Sequence, residues 1–193
     1  MSWPENLLPK DVGLGPYDYP PVHRLNTVEW TFDGGKGHGQ DTEGWYRLPY
    51  GTASIRVEDG ALRFFRAYGP YSAIRTDVVP FEATRYTTFR FRMKLRVSDK
   101  ALLPEYARNL EPKGSVRWGG AERPIVVSGG KAGDVRVRME PCVAFEPIGD
   151  GEWHEYAVDM SASPEWTGKV SEVWFDPHNV IFTDVAIDWM RFE

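Results

Sequence analysis

Phe89-Arg90-Phe91-Arg92-Met93-Lys94-Leu95-Arg96-Val97 alternates apolar and cationic residues without a break. Successive side chains of a strand point to opposite faces, so the five apolar residues share one side and the four cations the other. The stretch predicts a strand, entered at Tyr86, with one face in a core and one in solvent. Val135-Arg136-Val137-Arg138-Met139 repeats the device in miniature. Residues 54–65 predict a hairpin: Ile55 and Val57, a turn at Glu58-Asp59-Gly60, then Leu62 and Phe64. Further strands are expected over 28–32, 72–76, 116–118, 125–127, 153–160, 170–175 and 185–192. Short strands punctuated by Gly, Pro or Asp predict an all-β sandwich or barrel. Helical signal is confined to residues 102–110, inside an insert over 98–115 that carries Pro104 and Pro112.

Composition narrows the class. The chain has 193 residues, 41% hydrophobic and 26% charged, with 10 Phe, 9 Tyr and 8 Trp, which excludes disordered, collagenous and coiled-coil chains. That length suits one domain with a core of its own. The net charge of −5 argues against general nucleic-acid binding. Apolar runs are too short to span a membrane. Residues 1–25 hold no apolar stretch of signal-peptide length, so the expectation is a cytoplasmic protein, or an extracellular one if the chain is a processed form. Cys142 is the single cysteine, which removes any disulfide framework. Residues 1–26 carry five prolines and two glycines and predict an extended arm. Trp3, Leu7, Leu8, Tyr17 and Tyr19 would lay that arm on a sandwich formed by residues 27–193.

Several phrases, in order, resemble a known family. Trp30-Thr31-Phe32-Asp33 with Asp41-Thr42-Glu43-Gly44-Trp45 is similar to the opening strand and loop of jelly-roll carbohydrate-binding modules, the galactose-binding-like sandwiches. Asp59-Gly60-Ala61-Leu62 and Tyr68-Gly69-Pro70-Tyr71-Ser72 resemble the next hairpin. Asp150-Gly151-Glu152-Trp153-His154-Glu155-Tyr156 resembles a late strand. Trp166-Thr167-Gly168, Val173-Trp174-Phe175-Asp176-Pro177 and Ile187-Asp188-Trp189 resemble the closing ones. The resemblance covers about residues 28–193 and implies a single all-β jelly-roll β-sandwich that binds carbohydrate. It also implies that Asp33 and Asp188 lie together and hold a structural Ca²⁺, with Asp41 as a further ligand; hard oxygen donors suit that ion. The alternative is a set of carboxylates capping backbone N–H groups. The arm and the long insert depart from the family pattern.

The candidate ligand-binding residues are cations and rings. Arg90, Arg92, Lys94 and Arg96 would form one cationic face with Arg136 and Arg138 if their strands share a sheet. Guanidinium groups grip carboxylates or sulfates through two parallel bonds, so that face suits an acidic glycan. Cross-strand ion pairs are the competing account. Sugars pack their C–H faces on flat rings, and Tyr46, Tyr50, Tyr68, Tyr71 and Trp118 stand outside obvious core register. Trp30, Trp153 and Trp189 fall in strands, where core packing is the default. Among the histidines, His154 reads as structural, and His38 and His178 as exposed loop residues. No catalytic motif is present: no nucleophile elbow, no zinc-binding histidine pair, and no carboxylate pair of known separation among Glu140, Glu146, Glu152 and Glu155. The function expected is recognition of a poly- or oligosaccharide, with no organic cofactor, nucleic-acid or membrane partner. A small sugar-active enzyme of lyase or glycosidase type, or a structural assembly module, are the alternatives.

Overall fold

The structure, a computed structural model, describes residues 28–33, 42–47, 54–67, 73–97, 105, 111–120, 127–129, 135–137, 141–179 and 183–193. Its strands are β1 Glu29–Trp30, β2 Tyr46–Arg47, β3 Ser54–Glu58, β4 Ala61–Ala67, β5 Ile74–Glu82, β6 Thr88–Val97 and β7 Gly114–Gly119. There follow β8 Val127–Gly129, β9 Val135–Val137, β10 Cys142–Phe145, β11 Asp150–Asp159, β12 Lys169–Asp176 and β13 Thr183–Phe192. They form a six-stranded sheet in the order β11-β6-β13-β4-β3, with β1 also pairing with β13, and a five-stranded sheet in the order β10-β7-β12-β5-β2. Strands β8 and β9 pair only with each other among the described residues. All pairings are antiparallel.

The two large sheets enclose one apolar core, which makes the architecture the β-sandwich expected. The chain changes sheet from β1 to β2, β2 to β3, β4 to β5, β5 to β6, β6 to β7, β10 to β11, β11 to β12 and β12 to β13, so most successive strands lie opposite one another across the core. In β6, Phe89, Phe91, Met93 and Leu95 are fully buried, and the rings of Phe89 and Phe91 meet Phe175 of the facing sheet at centroid distances of 6.0 Å and 4.9 Å. Phe192, Phe81 and Trp166 extend the cluster at one end; Trp30 packs edge-on against Trp45 at 5.1 Å. The hairpin β3–β4 turns at Asp59 and Gly60, both at positive φ (54° and 72°), as a two-residue turn matched to strand twist requires.

Two expectations are corrected. Strand β6 pairs with β11 and β13, not with β9, so Arg136 does not extend the cationic row of β6. Strand β5 runs on to Glu82, past the expected end at 76, because Val78 and Phe81 also reach the core. The arm (1–26), residues 98–104 and 106–110 of the insert, Asp41, Tyr50, Tyr68, Tyr71, Arg138 and His38 lie outside the described residues.

Candidate functional site

Polar residues alternate with core residues along the five-stranded sheet, and the register brings them together on its outer face. In β12, Val173 and Phe175 belong to the core, so Glu172, Trp174 and Asp176 point the other way. Register then sets Tyr46, Arg75, Trp174, Arg117 and Cys142 side by side across β2, β5, β12, β7 and β10. One row along, Asp77 stands opposite Glu172.

Arg75 organises the open end of this face. Its guanidinium lies 4.9 Å from the Tyr46 ring centroid, 3.3 Å from Asp77 and 3.1 Å from Glu172. The Tyr46 hydroxyl donates to Asp77 at 3.2 Å, and the Trp174 indole N–H donates to Glu172. Burial raises the pKa of the Tyr46 hydroxyl; Arg75 opposes that rise and Asp77 adds to it. Toward β7 the face closes over. Trp174 and Arg117 are buried although neither belongs to the core cluster. Asp176 stands beside them half-buried, with its Oδ1 out of reach of solvent and without a hydrogen-bond partner among the described residues. Burial pushes its carboxyl up to about 7, against the pull of Arg117 and of the His178 backbone N–H. A buried arginine beside a carboxyl with an unpartnered buried oxygen is costly, and the core between the sheets does not require it here. This concentration of perturbed and networked groups makes the face the candidate site.

The outer face of the six-stranded sheet carries the predicted cationic row, partly neutralised. Arg90 meets Glu155 at 3.7 Å and Glu193 at 3.6 Å, and Arg92 meets Asp188 at 2.7 Å. Lys94 and Arg96 form no ion pair among the described residues. Trp153 and Trp189, read from the sequence as core strand residues, register with Lys94 and Arg92 and lie half-buried on this outer face.

The other residues singled out from the sequence fall as follows. Trp118, expected to meet ligand, is 3% exposed: it packs edge-on against Trp166 at 4.9 Å and donates to the Glu165 carbonyl. Its strand β7 lies between β10 and β12, and the ring falls on the inner side of the sheet. His178 is buried rather than exposed, with Nε2 2.6 Å from Thr183 Oγ1. His154 sits 3.0 Å from the Asp150 carboxylate, whose pKa is lowered by the Glu152 backbone N–H and then by His154. Asp188, expected as a calcium ligand, is bound to Arg92, and the exposed Asp33 stands beside Gly60. Among the described residues no three His, Cys, Asp or Glu side chains converge on a metal-sized site, and no helix is long and apolar enough to cross a membrane.

Sequence reasoning singled out Tyr46 on the five-stranded sheet but missed Arg75, Asp77, Arg117, Glu172, Trp174 and Asp176. The signal was present in Arg75-Thr76-Asp77 and Glu172-Val173-Trp174-Phe175-Asp176, where polar or amphipathic residues alternate with core residues.

No protein-family model matches the chain, and no curated protein matches its sequence. Solved structures similar to it are carbohydrate-binding modules of family 29. One is a variant complexed with cellulohexaose, at 14% identity and TM-score 0.46, covering 80% of this chain and 83% of that one. Another is the family 29 module itself, at 14% identity and TM-score 0.44, covering 80% and 81%. A third is a variant complexed with mannohexaose, at 15% identity and TM-score 0.43, covering 80% and 84%.

Proposed function

We propose that the protein is a carbohydrate-binding domain that holds an oligo- or polysaccharide on the outer face of the five-stranded sheet. The observation that carries this reading is the half-exposed network of Tyr46, Arg75, Asp77 and Glu172. A guanidinium clamped between two carboxylates is held in place before any ligand arrives, and it shares donors and acceptors with adjacent sugar hydroxyls. The Tyr46 ring, carrying Arg75 on one side, offers its remaining surface to a sugar C–H face. Arg75 is shared by two carboxylates, so this site suits a neutral glycan better than an acidic one.

The test is a screen of neutral oligosaccharides by titration calorimetry, with Tyr46→Ala and Arg75→Ala as variants. Each variant is expected to weaken binding tenfold or more, equivalent to about 1.4 kcal/mol. A parent protein that binds no neutral glycan sinks the reading.

Asp176 supports a second reading, a sugar-active enzyme of lyase or glycosidase type. A carboxyl that titrates near neutrality beside an arginine is suited to giving or taking a proton. Product released from a bound glycan, and lost in Asp176→Asn with binding retained, would establish it; binding without product leaves the first reading in place.

A further inference from the structure

We infer that the outer face of the six-stranded sheet is a second, separate carbohydrate site, which takes a carboxylated polysaccharide chain across Trp153 and Trp189.

The first observation is a bulge. Register in β13 shifts between Ile187 and Trp189 as it passes β6. Ile187 and Met190 are buried, and Asp188 and Trp189 between them are not. Strict alternation from Ile187 would turn Trp189 inward; the extra residue puts Asp188 and the indole on the solvent side together. A large apolar ring is thereby taken out of the core by a specific feature of the backbone.

The second observation is how the rings are held. The Arg92 guanidinium lies 5.3 Å from the Trp153 ring and is fixed by Asp188 at 2.7 Å. The Arg191 guanidinium lies 4.8 Å from the Trp189 ring and is fixed by Glu193 at 2.6 Å. Each indole is flanked by a cation that is itself tied down, so little ring motion remains to be lost on binding. Trp153 stands level with Lys94 on β11 and Trp189 level with Arg92 on β13, on either side of β6. Two strand spacings and a two-residue offset separate them by on the order of 12 Å. That exceeds a single sugar ring, so the ligand is a chain.

Charge selects its class. Arg90, Arg92 and Arg191 are taken up by Glu155, Glu193 and Asp188, whereas Lys94, directly opposite Trp153, and Arg96 beyond it form no ion pair among the described residues. Arg96 stands level with Asp150 and Asp184 on the two neighbouring strands, so Lys94 is the cation available beside the Trp153 ring, and an indole with an ammonium at its side matches a sugar bearing a carboxylate.

This inference does not rest on the site at Tyr46, and its test separates the two. Polygalacturonate and alginate are titrated against the parent, Trp153→Ala with Trp189→Ala, Lys94→Gln with Arg96→Gln, and Tyr46→Ala. Thermal melting checks that each variant is folded. The parent is expected to bind at least one of the two polymers, the tryptophan pair to lose tenfold or more, and the cation pair to lose affinity together with most of its salt dependence. Because the side chains of Lys94 and Arg96 face solvent, that variant tests the inference even if the tryptophan variant fails to fold. Tyr46→Ala should bind as the parent does. Absence of binding to both polymers by the parent, binding unchanged in the cation pair, or loss in Tyr46→Ala alone would each overturn the second site.

Discussion

Asp176 titrates out of its usual range because three forces act on one carboxyl and burial is the largest. A carboxyl moved from 3.8 to about 7 holds its proton more tightly in the folded chain than in the unfolded one. Between those values the folded state binds more protons than the unfolded state, so stability falls as pH rises through that window and levels off above it. The full penalty is on the order of 4 kcal/mol once the group is ionised. Asp176→Asn removes the ionisable group and keeps the shape. Relative to the parent, it should gain little at pH 4 and up to that amount at pH 8, read as urea midpoints at the two pH values. A parent whose midpoint is flat from pH 4 to 8 would mean that the carboxyl of Asp176 does not carry the raised pKa.

At the scale of the element, close approach between strands decides what each position tolerates. Gly114 begins β7 opposite Phe145 of β10, and a Cβ built on it would fall 2.2 Å from the Phe145 ring. That ring stacks on Phe175 at 5.7 Å and meets Phe91 edge-on at 5.0 Å, so it has little room to yield. Gly114→Ala should therefore cost about 1–3 kcal/mol, measured by chemical denaturation, and Phe145→Leu in the same chain should restore part of the loss. The same contrast between rigid and soft positions explains what was legible in the sequence. Strand β6 could be read because five apolar and four cationic residues alternate strictly, and the turn of β3–β4 because Asp59-Gly60 tolerates positive φ at both positions. Strands β2 and β10 gave no such signal: β2 is only two residues long, and Cys142-Val143-Ala144-Phe145 has no alternation of polarity. The bulge at Asp188-Trp189 was illegible for a different reason. Period-two reading assumes an unbroken ladder, and one inserted residue reverses which face every later side chain takes. Half of the candidate site was hidden in the same way, since nothing local tells that Arg75, Glu172 and Tyr46 come from neighbouring strands.

For the whole molecule the two faces belong to one folding unit. Both sheets contribute to a single apolar cluster, from Ile74, Val116 and Phe175 on one side and Phe91, Leu95 and Ile187 on the other, so neither sheet can melt while the other keeps its buried surface. Ligands on opposite faces are separated by that core and share no side chain, and distant sites without shared partners contribute additively. A ligand at a hundredfold excess over its Kd adds about 2.7 kcal/mol to stability. For a domain of this size that corresponds to about 5–10 °C in Tm. A neutral glycan bound at Arg75 and a carboxylated polymer bound at Trp153 and Trp189 should each raise the melting temperature. Together their shifts should sum, with a single transition throughout. Tyr46→Ala should lose the first increment only, and Trp189→Ala the second only. If saturating one ligand abolished the shift from the other, the two would share one site, because competition removes additivity while separate faces preserve it.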